Sequence, residues 1–289
     1  MAYGDWYLRY PGTTLAFGSY SSGLSLVDFP EVGTVSLSTD DTDRPRGDGV
    51  AFGQDFERDA SVKFTLRAEG VDIDTGRDLR ERFGAAWRGD AVRSKAGAVA
   101  TLESNTGRFA FGRPRRFWYD DMELRRSGTV SMLADFAMAS ALWYGVEQVA
   151  GVAYVPAAEG GFTFPLTFPL TTSQDSDRSA GVHVGGTLPT WPVITIYGPI
   201  TNPSIQIAGL KFELQTTLAA GQSVVIDTRP WSRQVTRAGA SVAGILSPYS
   251  TRLSMAALPP GVHELVLRGI SEVGTANATV RWRDAYATY

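Results

Sequence analysis

The chain contains no cysteine. That absence excludes a disulfide framework, zinc sites built on thiolates and a cysteine nucleophile. Histidine is nearly absent, with only His183 and His263, so chemistry that leans on imidazole has little to draw on. Lysine is scarce too: Lys63, Lys95 and Lys211 are all there is, and arginine carries the remaining positive charge. We read that bias as genomic base composition rather than function. No excess of one sign stands out, since the formal net charge is -3. A nucleic-acid protein would need a concentrated basic face. No run approaches the roughly 18 consecutive apolar residues of a membrane span. The opening Met1-Ala2-Tyr3-Gly4-Asp5-Trp6 lacks the basic stretch and apolar run of a secretory signal. The expectation is a soluble protein made in a cytoplasm, which leaves it only as part of a particle.

What is present is a β-rich pattern. With 289 residues the chain is about twice a typical domain length, so two domains are expected. Short alternating or β-branched runs bounded by Gly, Pro, Asn and Asp read as strands. In the first half these are Val32–Leu37, Val62–Leu66, Ala98–Leu102, Phe117–Leu124 and Thr129–Phe136. In the second they are Val193–Tyr197, Ile205–Ile207, Lys211–Gln215, Ser223–Asp227, His263–Arg268 and Ala278–Arg283. One segment has helical spacing: Leu79, Phe83, Ala86 and Trp87 form one apolar stripe. Thr75 with Asp78 resembles a capping box, and Gly89 and Gly97 are candidate stops. Gly84 inside the pattern costs about 1 kcal/mol relative to Ala. A single amphipathic helix covering one face of a sheet is predicted.

The pattern changes between about residues 155 and 185. Gly160-Gly161, Pro165, Pro169 and the polar run Thr171–Asp177 read as a linker. Within it Phe162–Leu170 alternates at period two with five large apolar residues, as an extended arm lying on a surface would. The domains are therefore set at 1–160, a linker arm at 161–185, and 186–289, the last an antiparallel β-sandwich.

The search for a catalytic set comes up empty. His263 sits in the alternating strand His263–Arg268, where a structural role is favoured, and His183 lies in a Gly-rich stretch. No Gly-x-Ser-x-Gly element supports a Ser-His-Asp triad. Asp40-Asp41 with Asp43, Asp72 with Asp74, and Asp120-Asp121 could serve a glycosidase only if the fold set them across a cleft. Asp72–Gly76 opens like a calcium loop but lacks the bidentate Glu, so a turn and helix cap is the better reading. Gly47–Gly53 is Gly-rich without the Gly-Lys-Ser/Thr ending of a phosphate loop. Trp191, Trp231, Tyr249, Trp282, Tyr286 and Tyr289 enrich the second half in aromatics. Core filling and burial against partner subunits is favoured over stacking on sugar rings. No catalytic residue, cofactor site or metal site is assigned.

Several strings resemble the distal tail protein family of long-tailed bacteriophages. In the first half these are Arg44-Pro45-Arg46-Gly47-Asp48-Gly49 before a strand, the helix at 79–87, Arg113-Pro114-Arg115-Arg116, and Ser140–Gly145. Ser140-Ala141 stands where the family often has Asp-Pro. The second half is more specific, with Gly186–Ile205, Leu218–Arg229 and Val280–Tyr286. The resemblance implies a mainly β chain. Its N-terminal domain would be a tail-tube-like β-sandwich or split barrel with one helix, and its C-terminal domain a galectin-like antiparallel sandwich. It further implies a non-enzymatic virion protein that forms a homohexameric ring at the tail tip. The implied partners are the tail tube protein, the central tip protein and the tape measure protein, with DNA only passing through the lumen and no membrane contact. Ring closure needs two different, matching patches on each subunit. Arg46, Phe52 and Phe56 in the loop Thr39–Phe56, with Phe162, Phe164 and Phe168 in the arm, are the candidate intersubunit contacts. The competing readings are a stand-alone carbohydrate-binding sandwich and a glycoside hydrolase.

Overall fold

The computed structural model describes residues 4–33, 36–58, 60–154, 179–271 and 274–289. The chain forms two compact units, Met1–Gly145 with Tyr286–Tyr289, and Val146–Ala285. Both are mainly β, as expected from the strand signals.

The first unit opens with the hairpin β1 (Trp6–Tyr10) and β2 (Thr13–Phe17), continues through β3 (Leu24–Leu26) and β4 (Glu31–Val32), and then leaves the body. That excursion holds β5 (Ser36–Ser38), β6 (Thr42–Asp43), β7 (Val50–Ala51) and β8 (Phe56–Arg58). The chain returns as β9 (Ser61–Glu69), α1 (Ile73–Arg88), α2 (Asp90–Arg93), β10 (Ala100–Glu103), β11 (Phe109–Asp120), α3 (Leu124–Ser127) and β12 (Thr129–Met138). The start of β13 (Trp143–Ala153) also belongs here.

Alternation builds this unit's core. Val62, Phe64, Leu66 and Ala68 of β9 are buried while Lys63 and Arg67 face out. The partner strand β12 buries Val130, Met132, Ala134 and Phe136 in register, with Phe64 opposite Ala134. Side chains of period two on both strands place these buried groups on one face. β11 gains one extra residue between Pro114 and Phe117. Proline has no N–H to give the ladder, so the pairing breaks and bulges there.

Helix α1 covers the buried face. Its true cap is Asp72, whose Oδ1 accepts the Thr75 N–H at 2.7 Å. The expected Thr75–Asp78 box is thereby corrected: Thr75 is the residue being capped, and the helix starts three residues earlier than that box would place it. Gly89 ends it with φ 61°, in the left-handed region where glycine carries no Cβ penalty. Phe83 and Trp87 stack at 4.9 Å and pack edge-on against Phe17. The single expected helix is joined among the described residues by the one-turn α2 and α3.

The second unit is two antiparallel sheets. One holds the rest of β13, then β23 (Asn277–Tyr286), β15 (Val193–Tyr197), β19 (Ser223–Asp227), β20 (Gln234–Arg237) and β21 (Ala240–Ser241). The other holds β14 (Ser179–Val184), β22 (Gly261–Ile270), β16 (Ile200–Ile207) and β17 (Leu210–Glu213), with β18 (Thr217–Leu218) on β16. Their inner faces meet in one core that includes Ile194, Ile205, Phe212, Leu265 and Trp282. Residues 179–184, expected in the linker arm, are instead strand β14. Val182 and Val184 alternate into the core, and the strand pairs along β22.

Candidate assembly surfaces

The excursion between β4 and β9 is two short ribbons, β5 with β8 and β6 with β7. Almost every residue in them is exposed. Leu37 is 56% exposed, Phe56 57% and Phe52 89%. Arg46 is exposed at the turn joining β6 to β7. An isolated two-stranded hairpin is marginal in water, and it leaves unpaired backbone on both edges. Large apolar side chains exposed together on such a ribbon are uncommon on a monomer surface. Three of the sequence candidates, Arg46, Phe52 and Phe56, thus fall on one element. Phe162, Phe164 and Phe168 lie outside the described residues.

Sequence reasoning missed a second surface in the same unit. β9 carries the chain from the root of the ribbons at Ser61 to Glu69, about 27 Å away at strand rise. At that far end Thr129 pairs with Glu69, and two loops meet. Val71 is 93% exposed in one and Met122 84% in the other. Each is a single apolar residue flanked by Gly or acidic residues, which gives no periodic signal. The exposed Trp118 and Tyr119 lie nearby at the end of β11, with the Arg80 guanidinium 4.6 Å from the Tyr119 ring centroid. The unit therefore presents exposed apolar groups at both ends of its long strands.

Three of the carboxylates singled out in the sequence have local structural roles. Asp72 caps α1, and the backbone N–H of Thr75 holds its carboxyl below the ordinary value. Asp120 accepts the Met122 N–H at 3.0 Å, and Asp41 accepts the Gly53 N–H at 3.0 Å. Among the described residues no group of His, Asp and Glu is placed to hold a metal. His263 meets the Pro259 carbonyl at 2.7 Å, the structural role expected for it. His183 is exposed on β14 opposite Val262.

The aromatics of the second half do not form one platform. Trp282 is in the core. Trp191 and Trp231 are half-buried, with the guanidinium groups of Arg233 and Arg229 at 5.9 and 5.7 Å from their ring centroids. Tyr286 and Tyr289 pack in the first unit, where the Arg108 guanidinium lies 3.1 Å from the Tyr286 ring centroid. Only Tyr249, of the six, is largely exposed.

Residues 185–286 match the family model described as the siphovirus-type tail component, C-terminal domain. No curated protein sequence matches the chain. Among solved structures the chain is similar to SPP1 Dit, described as a paradigm of the hub adsorption apparatus in phages infecting Gram-positive hosts. That match has a TM-score of 0.61 at 13% identity and covers 97% of this chain and 98% of the other. It is also similar to chains of the phage P2 baseplate in its activated conformation with calcium and with strontium. Those matches have TM-scores of 0.54 and 0.55 at 14% and 13% identity, each covering 96% of this chain and 97% of the other. The chain therefore has the mainly β fold of those tail and baseplate structures, and residues 185–286 match the C-terminal domain of the siphovirus-type tail component.

Proposed function

We propose that this protein is a non-enzymatic structural subunit of a phage tail tip, six copies of which close into a ring between the tail tube and the central tip protein. The first unit, Met1–Gly145 with Tyr286–Tyr289, rather than the 1–160 expected from the sequence, is the tail-tube-like part that builds the ring. Residues 161–178 connect it to a galectin-like sandwich that takes in strand β14 and residues 186–285. The observation that carries this reading is the solvent-exposed double ribbon with Leu37, Phe52 and Phe56 on a chain of distal-tail fold. Such a ribbon is costly for a monomer and useful at a subunit joint. The two ends of the first unit offer separate faces for two neighbours in the tail, one above the ring and one below. The protein works in the virion after assembly in the host cytoplasm.

Native mass spectrometry across a concentration series, with negative-stain micrographs of the same samples, tests this. A hexamer with six-fold rings is the expected result. A chain that stays monomeric at the highest concentrations, or that forms only two-fold dimers, overturns it.

A further inference from the structure

β2 is the terminal strand of its sheet. One edge pairs with β1 from Trp6 opposite Phe17 to Tyr10 opposite Thr13. The other edge is engaged only beyond its end, where the Gly18 N–H donates to the Leu24 carbonyl and the Gly18 carbonyl accepts the Leu26 N–H. From Thr13 to Ala16 no described strand continues that pairing. An open row of N–H and C=O groups is a template for one more strand.

The open edge faces a groove of about 640 Å³ between β2, the turn at Ser21-Ser22 and helix α1. The small side chains of Ala16, Ala85 and Ala86 in its lining leave room beside the strand edge. Arg82 stands on its rim and donates to the Ser22 carbonyl at 3.0 Å. Arg82 is the one charged side chain among the residues that line it. The groove thus combines an unpaired strand edge with one guanidinium on its rim.

The same chain carries a segment with the complementary properties. Residues 36–58 hold six carboxylates against three arginines. They form two-stranded ribbons with free edges and exposed apolar side chains. We infer that the β5–β8 ribbon of one copy adds to the open edge of β2 in a second copy, extending that sheet across the subunit joint. The contact is heterologous, an arm on one copy and a groove on the next, which is the kind that closes rings. The inference rests on the ring reading above and names the surface that receives the arm.

The absence of cysteine makes the test direct, because introduced thiols have no native competitors. Single cysteines are placed at Thr14 or Ala16 in one preparation and at each of residues 36–38 and 56–58 in others. Preparations are mixed pairwise, oxidised and run on non-reducing gels. A disulfide needs Cβ atoms about 3.5–4.5 Å apart, so its formation reports direct adjacency. The expected result is a cross-linked dimer in at least one mixture, absent from each single variant alone. Its yield should fall several-fold at high salt as the charge attraction is screened. Oligomers that assemble without any of these cross-links overturn the docking and leave the ring intact. A double variant such as T14C/L37C that cross-links within monomers means the arm folds onto its own groove, and also overturns it. Failure to assemble at all removes both readings.

Discussion

Asp227 is buried at the end of β19 and is held chiefly by Arg229, with Ser232 adding a side-chain hydrogen bond. Burial by itself would raise its carboxyl, but the hydrogen bonds and charge of Arg229 outweigh that and hold it below the ordinary value. The contact is bidentate, with Nε donating at 2.9 Å and Nη2 at 2.6 Å, and the Arg229 N–H adds a third bond at 3.1 Å. A carboxyl whose folded value is depressed contributes stability above its unfolded value, and that contribution is lost as pH falls through the folded value. Asp227→Asn should therefore destabilise by roughly 1–3 kcal/mol at neutral pH, the scale of a charged hydrogen bond. The deficit should begin to shrink below about pH 4, where the carboxyl of the unfolded chain protonates, and disappear once the pH falls through the depressed folded value. Urea unfolding of both proteins at the two pH values reads this; a deficit that does not change with pH would count against it. Gly76 makes the opposite point about reading single residues. Inside a helix Gly→Ala normally gains about 1 kcal/mol. Here a Cβ would stand 2.0 Å from the carbonyl oxygen of Gly128, where α1 passes close to the turn after α3. Gly76→Ala should lose roughly 1–3 kcal/mol, as overpacked sites do. A thermal midpoint equal to or above wild type would show that the close approach relaxes freely.

At the scale of elements, the legible parts were those with one periodic apolar face. β15 and β19 fall on the expected residues, and β9, β12, β22 and β23 contain the expected runs and extend beyond them. α1 was legible from Leu79, Phe83, Ala86 and Trp87 because one stripe of it meets the core. Its start was less legible, since Asp72 and Thr75 are both good caps and only the fold decides between them. The expected strand Val32–Leu37 divides into β4 and β5, because the body sheet ends there and the ribbon begins. Strand signals report pleated geometry, not which sheet is joined. β1 and β2 went unread because the aromatic Trp6-Tyr7 and the small Thr13–Phe17 run lack clean alternation, although Trp6, Leu8, Leu15 and Phe17 are buried. The groove beside β2 could not be read at all, since it is made by residues about 70 apart in sequence. The ribbons bury little, so they add little to the stability of the unit. Replacing residues 36–58 with a short Gly/Ser turn should move the thermal midpoint by only a degree or two while abolishing oligomers. Calorimetry and native mass spectrometry on one sample check both halves. A large loss of stability would mean that the ribbons belong to the core.

At the scale of the molecule, each unit has its own core, and the chain passes between them twice, at Gly145–Val146 and at Ala285–Tyr286. The second passage returns the last four residues to the first unit. There Tyr289 packs 5.2 Å from Trp6 and 5.1 Å from Trp143, centroid to centroid, and both tryptophans are fully buried. The segment 146–285 is continuous and holds a complete core, so expressed alone it should unfold in one cooperative transition. The segment 1–145 lacks the two tyrosines that complete its aromatic cluster, and it should be the less stable of the two fragments relative to its state in the full chain. Tyr289→Ala in the full chain isolates the cause. It removes two aromatic pairs worth about 0.5–1.5 kcal/mol each, besides the buried area of the ring. The expected outcome is a lower midpoint for the transition that isolated 146–285 does not show. The transition shared with that fragment should stay where it is. Equal shifts in both transitions would mean that the two cores unfold as one, and that the returning tail stabilises the whole chain rather than the first unit.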